Sequence, residues 1–179
     1  MVTRAVLALG SNLGDRHATL RGAVEALSSG PGAPTPVAVS PVYETAPVGG
    51  PDQGAYLNAV LVVDFDGTAR ELLERALATE QAFARVREVR WGPRTLDVDV
   101  ITFGDTVDDD PVLTLPHPRA HLRAFVLRPW LDADPAAVVP GRASVATLLA
   151  AVEEADTSGE QRLSRRDDLA LRLSGEADH

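Results

Sequence analysis

Two periods of apolar and polar residues alternate along this chain, and the switches between them mark its elements. Ala5 to Leu9 is a short continuous apolar run ended by Gly10, the pattern of a buried strand. Ser11 to Asp15 reads as a turn, with Asn12 and the turn amides available to line a ligand edge. Leu20, Val24 and Leu27 then recur at helical spacing, which predicts a first helix over Ala18 to Leu27. Ser28 to Pro36 is rich in glycine and proline and must be a connection. Val37, Val39 and Val42–Tyr43 form a second strand, bent near Pro41 because proline cannot donate to a central ladder. Ala55 to Phe65 returns as a longer strand, with Tyr56, Asn58, Val60 and Val62 on one face and Leu57, Ala59, Leu61 and Val63 on the other. Both faces are largely apolar, so this strand is expected at the centre of a sheet covered on both sides, and Asn58 is the polar exception that needs a partner.

Asp66–Gly67 makes a turn, and Thr68 with Glu71 three residues on forms a capping box that opens a second helix through Leu72, Leu73, Ala76 and Leu77. Strand periodicity resumes from Asp97 to Phe103. The resulting order predicts an α+β fold with a ferredoxin-like βαββαβ core. An all-parallel sheet would need a crossover between the second and third strands, where the chain has only the loop Glu44 to Gly54. Additional C-terminal strands and helices follow: a turn or small helix at Ala120 to Ala124, Phe125 to Trp130 packing back, and a helix over Val145 to Val152 capped by Ser144. Residues 1–155 are expected to form the domain. Asp156 to His179, polar and mixed in charge, is expected to be a poorly ordered tail or a short accessory helix contributing little to chemistry.

Composition narrows the chemistry. Cysteine is absent, which excludes disulfides, thiolate nucleophiles and cysteine-ligated metal sites. All 17 basic residues are arginine, so no P-loop or Schiff-base lysine exists and a phosphate must be met by arginine, histidine or backbone N–H. The formal charge of -9 argues against nonspecific attraction to nucleic acid or an anionic membrane. No secretory signal pattern or membrane-length apolar run is evident, and a soluble, cytoplasmic, monomeric protein is expected.

The densest chemistry lies in Arg90 to Asp99, RWGPRTLDVD. Alternation puts Asp97 and Asp99 on one face of their strand, roughly 6 to 7 Å apart along it, and two carboxylates there call for a cation between or above them. Magnesium, which is often held by one or two carboxylates together with substrate phosphates, is the simplest counter-charge. Gly92–Pro93 forms a rigid turn that delivers Arg94 to the strand, and Arg90 and Arg94 offer planar forks suited to phosphate oxygens. Spacing alone favours a polar strand flanked by surface salt bridges over metal and phosphate binding. The segment LPHPRAHLRAF places His117 between two prolines, in a stiff backbone.

Taken together, ALGSNLGD, SPVYETAPVGGPDQGAYLNAV, RWGPRTLDVDVITFG and LPHPRAHLRAFVLRPW occur here in the order found in the 6-hydroxymethyl-7,8-dihydropterin pyrophosphokinases of folate biosynthesis. The chain resembles that family over roughly residues 3–150. The resemblance implies a ferredoxin-like α+β fold and transfer of pyrophosphate from ATP to the hydroxymethyl group of 6-hydroxymethyl-7,8-dihydropterin, releasing AMP by attack at the β-phosphorus. It implies two Mg2+ ions held by Asp97 and Asp99. It further implies ATP contacts at Arg85, Arg87, Trp91, Arg94, Thr114, His117 and Arg123, with Arg85, Arg87 and Arg94 also serving catalysis. For the pterin it implies Thr45, Tyr56, Asn58, Trp91 and Phe125. A flat heterocycle with a polar rim suits aromatic rings over its faces and a carboxamide at its edge. This chain departs from the family pattern at Ala84–Arg85, where glycine usually precedes the arginine, in a loop one residue shorter before Trp91, and at Ala46–Pro47 after Thr45. His121 falls outside the implied contacts and reads as ordinary surface. A ferredoxin-like binding module for RNA or a regulatory ligand would need a more basic, more aromatic surface than this composition provides. A metal phosphodiesterase would share the carboxylates but need no pterin acceptor.

Overall fold

The computed structural model describes residues 1–12, 14–45, 55–84 and 96–173. In chain order its elements are β1 (Thr3–Ser11), α1 (Arg16–Leu27), β2 (Thr35–Val39), β3 (Tyr43–Thr45), β4 (Tyr56–Phe65), α2 (Ala69–Ala84), β5 (Asp97–Phe103), α3 (Ala124–Ala133), α4 (Val145–Ala155) and β6 (Leu163–Arg165). Short 3-10 turns occupy Ala120–Leu122 and Asp167–Leu169.

One antiparallel sheet runs β5-β1-β4-β3-β6, with β2 also pairing along β4. Counted as one interrupted strand, β2 and β3 make this the expected ferredoxin-like βαββαβ order, in which β4 separates β1 from the strand that follows α1. The interruption falls at Ser40 to Val42, beside Pro41. Ser40 bridges it: its N–H donates to the Val60 carbonyl at 2.9 Å, and its hydroxyl accepts from the Val60 N–H at 2.8 Å.

Strand alternation divides the sheet into two apolar faces. Leu7, Leu9, Leu57, Leu61, Val63, Val98 and Val100 pack against α1 and α2 through Leu20, Val24, Leu27, Leu72 and Ala76. The opposite face presents Val6, Val60, Val62 and Ile101 to α3 and α4, whose Leu127, Trp130, Val145 and Leu149 complete a second core. Burial at this density, on the order of 2 kcal/mol for each large aliphatic side chain, fixes both helical layers. The starts of α2 and α4 follow the sequence expectations, whereas α1 begins at Arg16, two residues before the expected Ala18, and α3 is a helix where the sequence predicts only a segment packing back. Asp15 accepts from the Ala18 N–H, Thr68 and Glu71 form the reciprocal capping box at 3.1 and 3.2 Å, and Ser144 accepts from the Thr147 N–H.

The C-terminal segment differs from expectation. Instead of a loose tail or accessory helix, residues 163–165 add an edge strand to β3, with Tyr43 opposite Arg165 and Thr45 opposite Leu163. Leu171 is buried in the first core, and the Arg166 N–H donates to the Val42 carbonyl at 2.8 Å. Three residues of mixed character carry no strand signal of their own. Pairing with an exposed edge makes them a strand.

Candidate active site

The face covered by α3 and α4 is not covered along its whole length. One register row runs Asp97 on β5, Gly10 on β1, Asn58 on β4 and Tyr43 on β3. Asp99 lies on the next row of the same face opposite Ala8, and Thr45 is opposite Tyr56. Beyond the end of α3 these positions open into a cavity of about 530 Å3, lined by Thr45, Tyr56, Asn58, Asp97, Asp99, Arg123 and Phe125 together with Gly10, Leu122, Glu160, Gln161 and Leu163. Strand parity thus turns the two carboxylates, the carboxamide and the aromatic ring of Tyr56 toward one space.

Asn58 is buried, and its Nδ2 donates to the Thr45 hydroxyl at 3.3 Å, which fixes the amide at the cavity wall and leaves its oxygen for another donor. Gly10 leaves space beside it. A Cβ at position 10 would come within 3.5 Å of Asn58 Oδ1 and 3.6 Å of Tyr56 Cδ1, filling the gap between the amide and the ring. Arg123 approaches from the junction between the Ala120–Leu122 turn and α3, its guanidinium carbon 5.4 Å from the centroid of the Phe125 ring. A cation and an aromatic platform therefore occupy adjacent positions on one wall.

His117 does not line the cavity, but its charge environment includes Asp99 and Arg123. Its N–H donates to the Ile101 carbonyl at 2.8 Å, holding it beside β5. Nδ1 accepts from the Arg119 N–H at 3.2 Å. Burial lowers the imidazole below its ordinary value and Asp99 opposes that shift, while Arg123 and Arg119 reinforce it. Thr114 lies apart from the cavity lining, and its hydroxyl donates to the Asp110 carbonyl at 2.9 Å. Asn12 is 5% exposed and does not line the cavity, and its side-chain atoms find no hydrogen-bond partner among the described residues. His121, read as ordinary surface, is half-buried beside α4. Arg85, Arg87, Trp91 and Arg94 lie outside the described residues.

No group of three or more histidine, aspartate or glutamate side chains is placed to hold a metal ion among the described residues. Asp97 and Asp99 line the cavity as a carboxylate pair on β5, with Glu160 a further carboxylate on its wall. That donor set fits a hard, oxygen-seeking cation such as magnesium, which completes its shell with phosphate oxygens and water rather than with protein.

The profile of the family described as 7,8-dihydro-6-hydroxymethylpterin-pyrophosphokinase (HPPK) matches residues 6–135. The chain belongs to this family. Among pyrophosphokinases it is similar to the Mycobacterium tuberculosis protein named 2-amino-4-hydroxy-6-hydroxymethyldihydropteridine pyrophosphokinase, at 48% identity over 169 residues covering 87% of each chain. The Bacillus subtilis protein of the same name is 46% identical over 128 residues, 72% of this chain and 76% of that one. In fold it is similar to a solved structure of Plasmodium falciparum HPPK-DHPS, with a TM-score of 0.71 at 14% identity over 92% of this chain. The match spans 48% of that longer protein, about half its length.

Several cavity residues were not site candidates in the sequence, among them Gly10, Glu160, Gln161 and Leu163. Gly10 carried a signal, because a glycine at a strand end leaves room for something else. Glu160, Gln161 and Leu163 carried none, since a polar stretch of mixed charge looks the same whether it lines a site or faces water.

Proposed function

We propose that this pyrophosphokinase transfers the β,γ-diphosphate of ATP to the hydroxymethyl oxygen of 6-hydroxymethyl-7,8-dihydropterin. The observation that carries the reading is one cavity shared by a carboxylate pair, a buried carboxamide and two aromatic rings, in a chain of this family. The pterin oxygen bonds to the β-phosphorus, and the bond from that phosphorus to the oxygen bridging the α-phosphate breaks. AMP leaves with the bridging oxygen, and the hydroxyl proton passes to solvent or a base.

Tyr56 and Phe125 take the apolar faces of the pterin, while Asn58 and Thr45 meet its polar rim. Arg123 supplies permanent charge to the phosphates, and neutral His117 donates one hydrogen bond. Arg85, Arg87 and Arg94 bring further cations to the phosphates, and Trp91 is assigned to both ATP and the pterin. Asp97 and Asp99 hold magnesium, two ions in this reading, and the metal supplies, when bound, positive charge against crowded phosphate oxygens. Placement and charge stabilisation then account for most of the acceleration, since phosphoryl transfer asks little covalent chemistry of the protein.

The same reading makes the protein a cytoplasmic monomer, and its charge of -9 supports the absence of a nucleic-acid partner. Among the described residues no helix is long and apolar enough to cross a membrane.

The test is AMP formation from ATP with magnesium, with and without the pterin alcohol. AMP is expected only when the acceptor is present. Asp97→Ala and Asp99→Ala are each expected to lower turnover by about 100-fold or more while the melting transition is retained. Release of ADP, or AMP formed equally well without the pterin, would overturn the assignment.

A further inference from the structure

Helix α3 begins without a side-chain cap from its own N-cap residue. The first N–H groups of any helix have no partner inside it and need an acceptor from elsewhere. Arg123 occupies the capping position, and a guanidinium only donates. Serine or aspartate there would accept the bond, but it would remove from the cavity the cation that lies beside Phe125.

Gln161 supplies the missing acceptor. Its Oε1 accepts from the Ala124 N–H at 2.8 Å, and its Nε2 donates to the Leu122 carbonyl at 3.0 Å. One carboxamide therefore engages the backbone on both sides of Arg123, much as a neighbouring strand would. Arg123 is held extended between the two contacts, at φ -119 and ψ 110. Gln161 is itself anchored, because its N–H donates to Asp156 Oδ2 at 3.0 Å, at the end of α4.

We infer that Gln161 is a positioning residue for diphosphate transfer: its carboxamide sets the path of residues 122–124 and so the direction in which Arg123 and Phe125 enter the cavity. The inference rests on the reaction proposed above. Arg123 is assigned to the phosphates and Phe125 to the pterin, so a shift in this short segment moves the groups that hold donor and acceptor relative to each other. A displacement of about 1 Å at such a point can cost on the order of 100-fold in rate.

The experiment compares wild type with Gln161→Leu, which keeps the side chain's bulk and loses both hydrogen bonds, and with Gln161→Glu, which keeps only the acceptor. Wild-type AMP formation is measured first, and its absence would count against the reaction rather than against the role of Gln161. Amide exchange at Ala124, which does not depend on activity, is expected to accelerate in Gln161→Leu. In the same variant kcat/KM is expected to fall about tenfold for both ATP and the pterin. Ser144→Ala, which removes the equivalent cap from α4, serves as a control for stability and is expected to lower Tm with kcat/KM unchanged.

In an Arg123→Ala background the Gln161→Leu change should cost markedly less, because one of the groups it positions is gone. If Gln161→Leu does not fold, Gln161→Glu carries the same comparison. Fast Ala124 exchange with kcat/KM within about twofold of wild type, or an equal cost in both Arg123 backgrounds, would overturn the inference.

Discussion

The imidazole of His117 has one nitrogen to offer a substrate. Nδ1 already accepts from the Arg119 N–H, so in the neutral ring the proton sits on Nε2 and that nitrogen is a donor. A donor is what a phosphate oxygen requires, and burial, with help from Arg123 and Arg119, keeps the ring neutral by holding it below the ordinary value of 6.5. The sign of the pH effect follows. As pH falls below 6.5 the unfolded chain takes up this proton before the folded protein does, so the contribution of His117 to stability is complete above 6.5 and is lost as pH drops through the folded-state value. In nitrogen-detected NMR the free protein is expected to show the Nε2–H tautomer of His117, with a titration midpoint below 6.5. Observing the Nδ1–H tautomer, or a midpoint at or above 6.5, would remove its proposed role as a neutral donor.

At the scale of elements, the interrupted strand gives the clearest link from sequence to structure. Pro41 announces the break, because a residue without N–H cannot continue the ladder. The repair was not announced. The Ser40 hydroxyl accepts the N–H of Val60, a fully buried residue in the central strand, and only the β4 register shows that these two positions meet. Ser40→Ala would leave that N–H buried and unpaired, at a cost of about 1 to 3 kcal/mol. Urea denaturation is expected to show the loss as a lower midpoint at unchanged slope, and a change under about 0.5 kcal/mol would mean that the bond is replaced.

The same division runs through the site. Asp97 and Asp99 could be placed on one face by parity alone, and Asn58 stood out as a polar residue in an apolar strand, since both inferences use only local periodicity. Gln161 could not be found this way. Its importance depends on the missing cap at Arg123 and on a bond to Ala124 across a sequence separation of 37, and nothing local marks a glutamine that caps a distant helix. Strand β6 was hidden for the same reason, because its identity comes from the edge it joins.

Across the whole molecule, one carboxylate gathers parts that are far apart in the chain. Glu44 on β3 lies 3.1 Å from Arg16 at the start of α1 and 3.0 Å from Arg166 beyond β6. Arg16 also donates to the Ala55 carbonyl at 2.6 Å, at the start of β4. Thr45 follows Glu44 and Tyr56 follows Ala55, so the cluster pins both of these cavity-lining residues from behind. With its side chain 28% exposed, Glu44 belongs neither with freely solvated pairs, worth about 0 to 1 kcal/mol, nor with buried ones. What decides its effect is the charge left behind. Glu44→Ala would leave Arg16 without a carboxylate partner among the described residues and Arg166 with Asp168 alone, and a loss of about 1 to 2 kcal/mol is expected at low ionic strength, together with a raised KM for the pterin. Added salt screens the Arg16–Arg166 repulsion, so part of the lost stability should return near 1 M salt, where the screening length is about 3 Å. Removing Arg166 as well removes the repulsion itself, and the Glu44→Ala, Arg166→Ala double variant is expected to be less destabilised than the sum of the single changes. Additive losses that do not respond to salt would show that Glu44 acts through packing rather than as the shared anion of the two arginines.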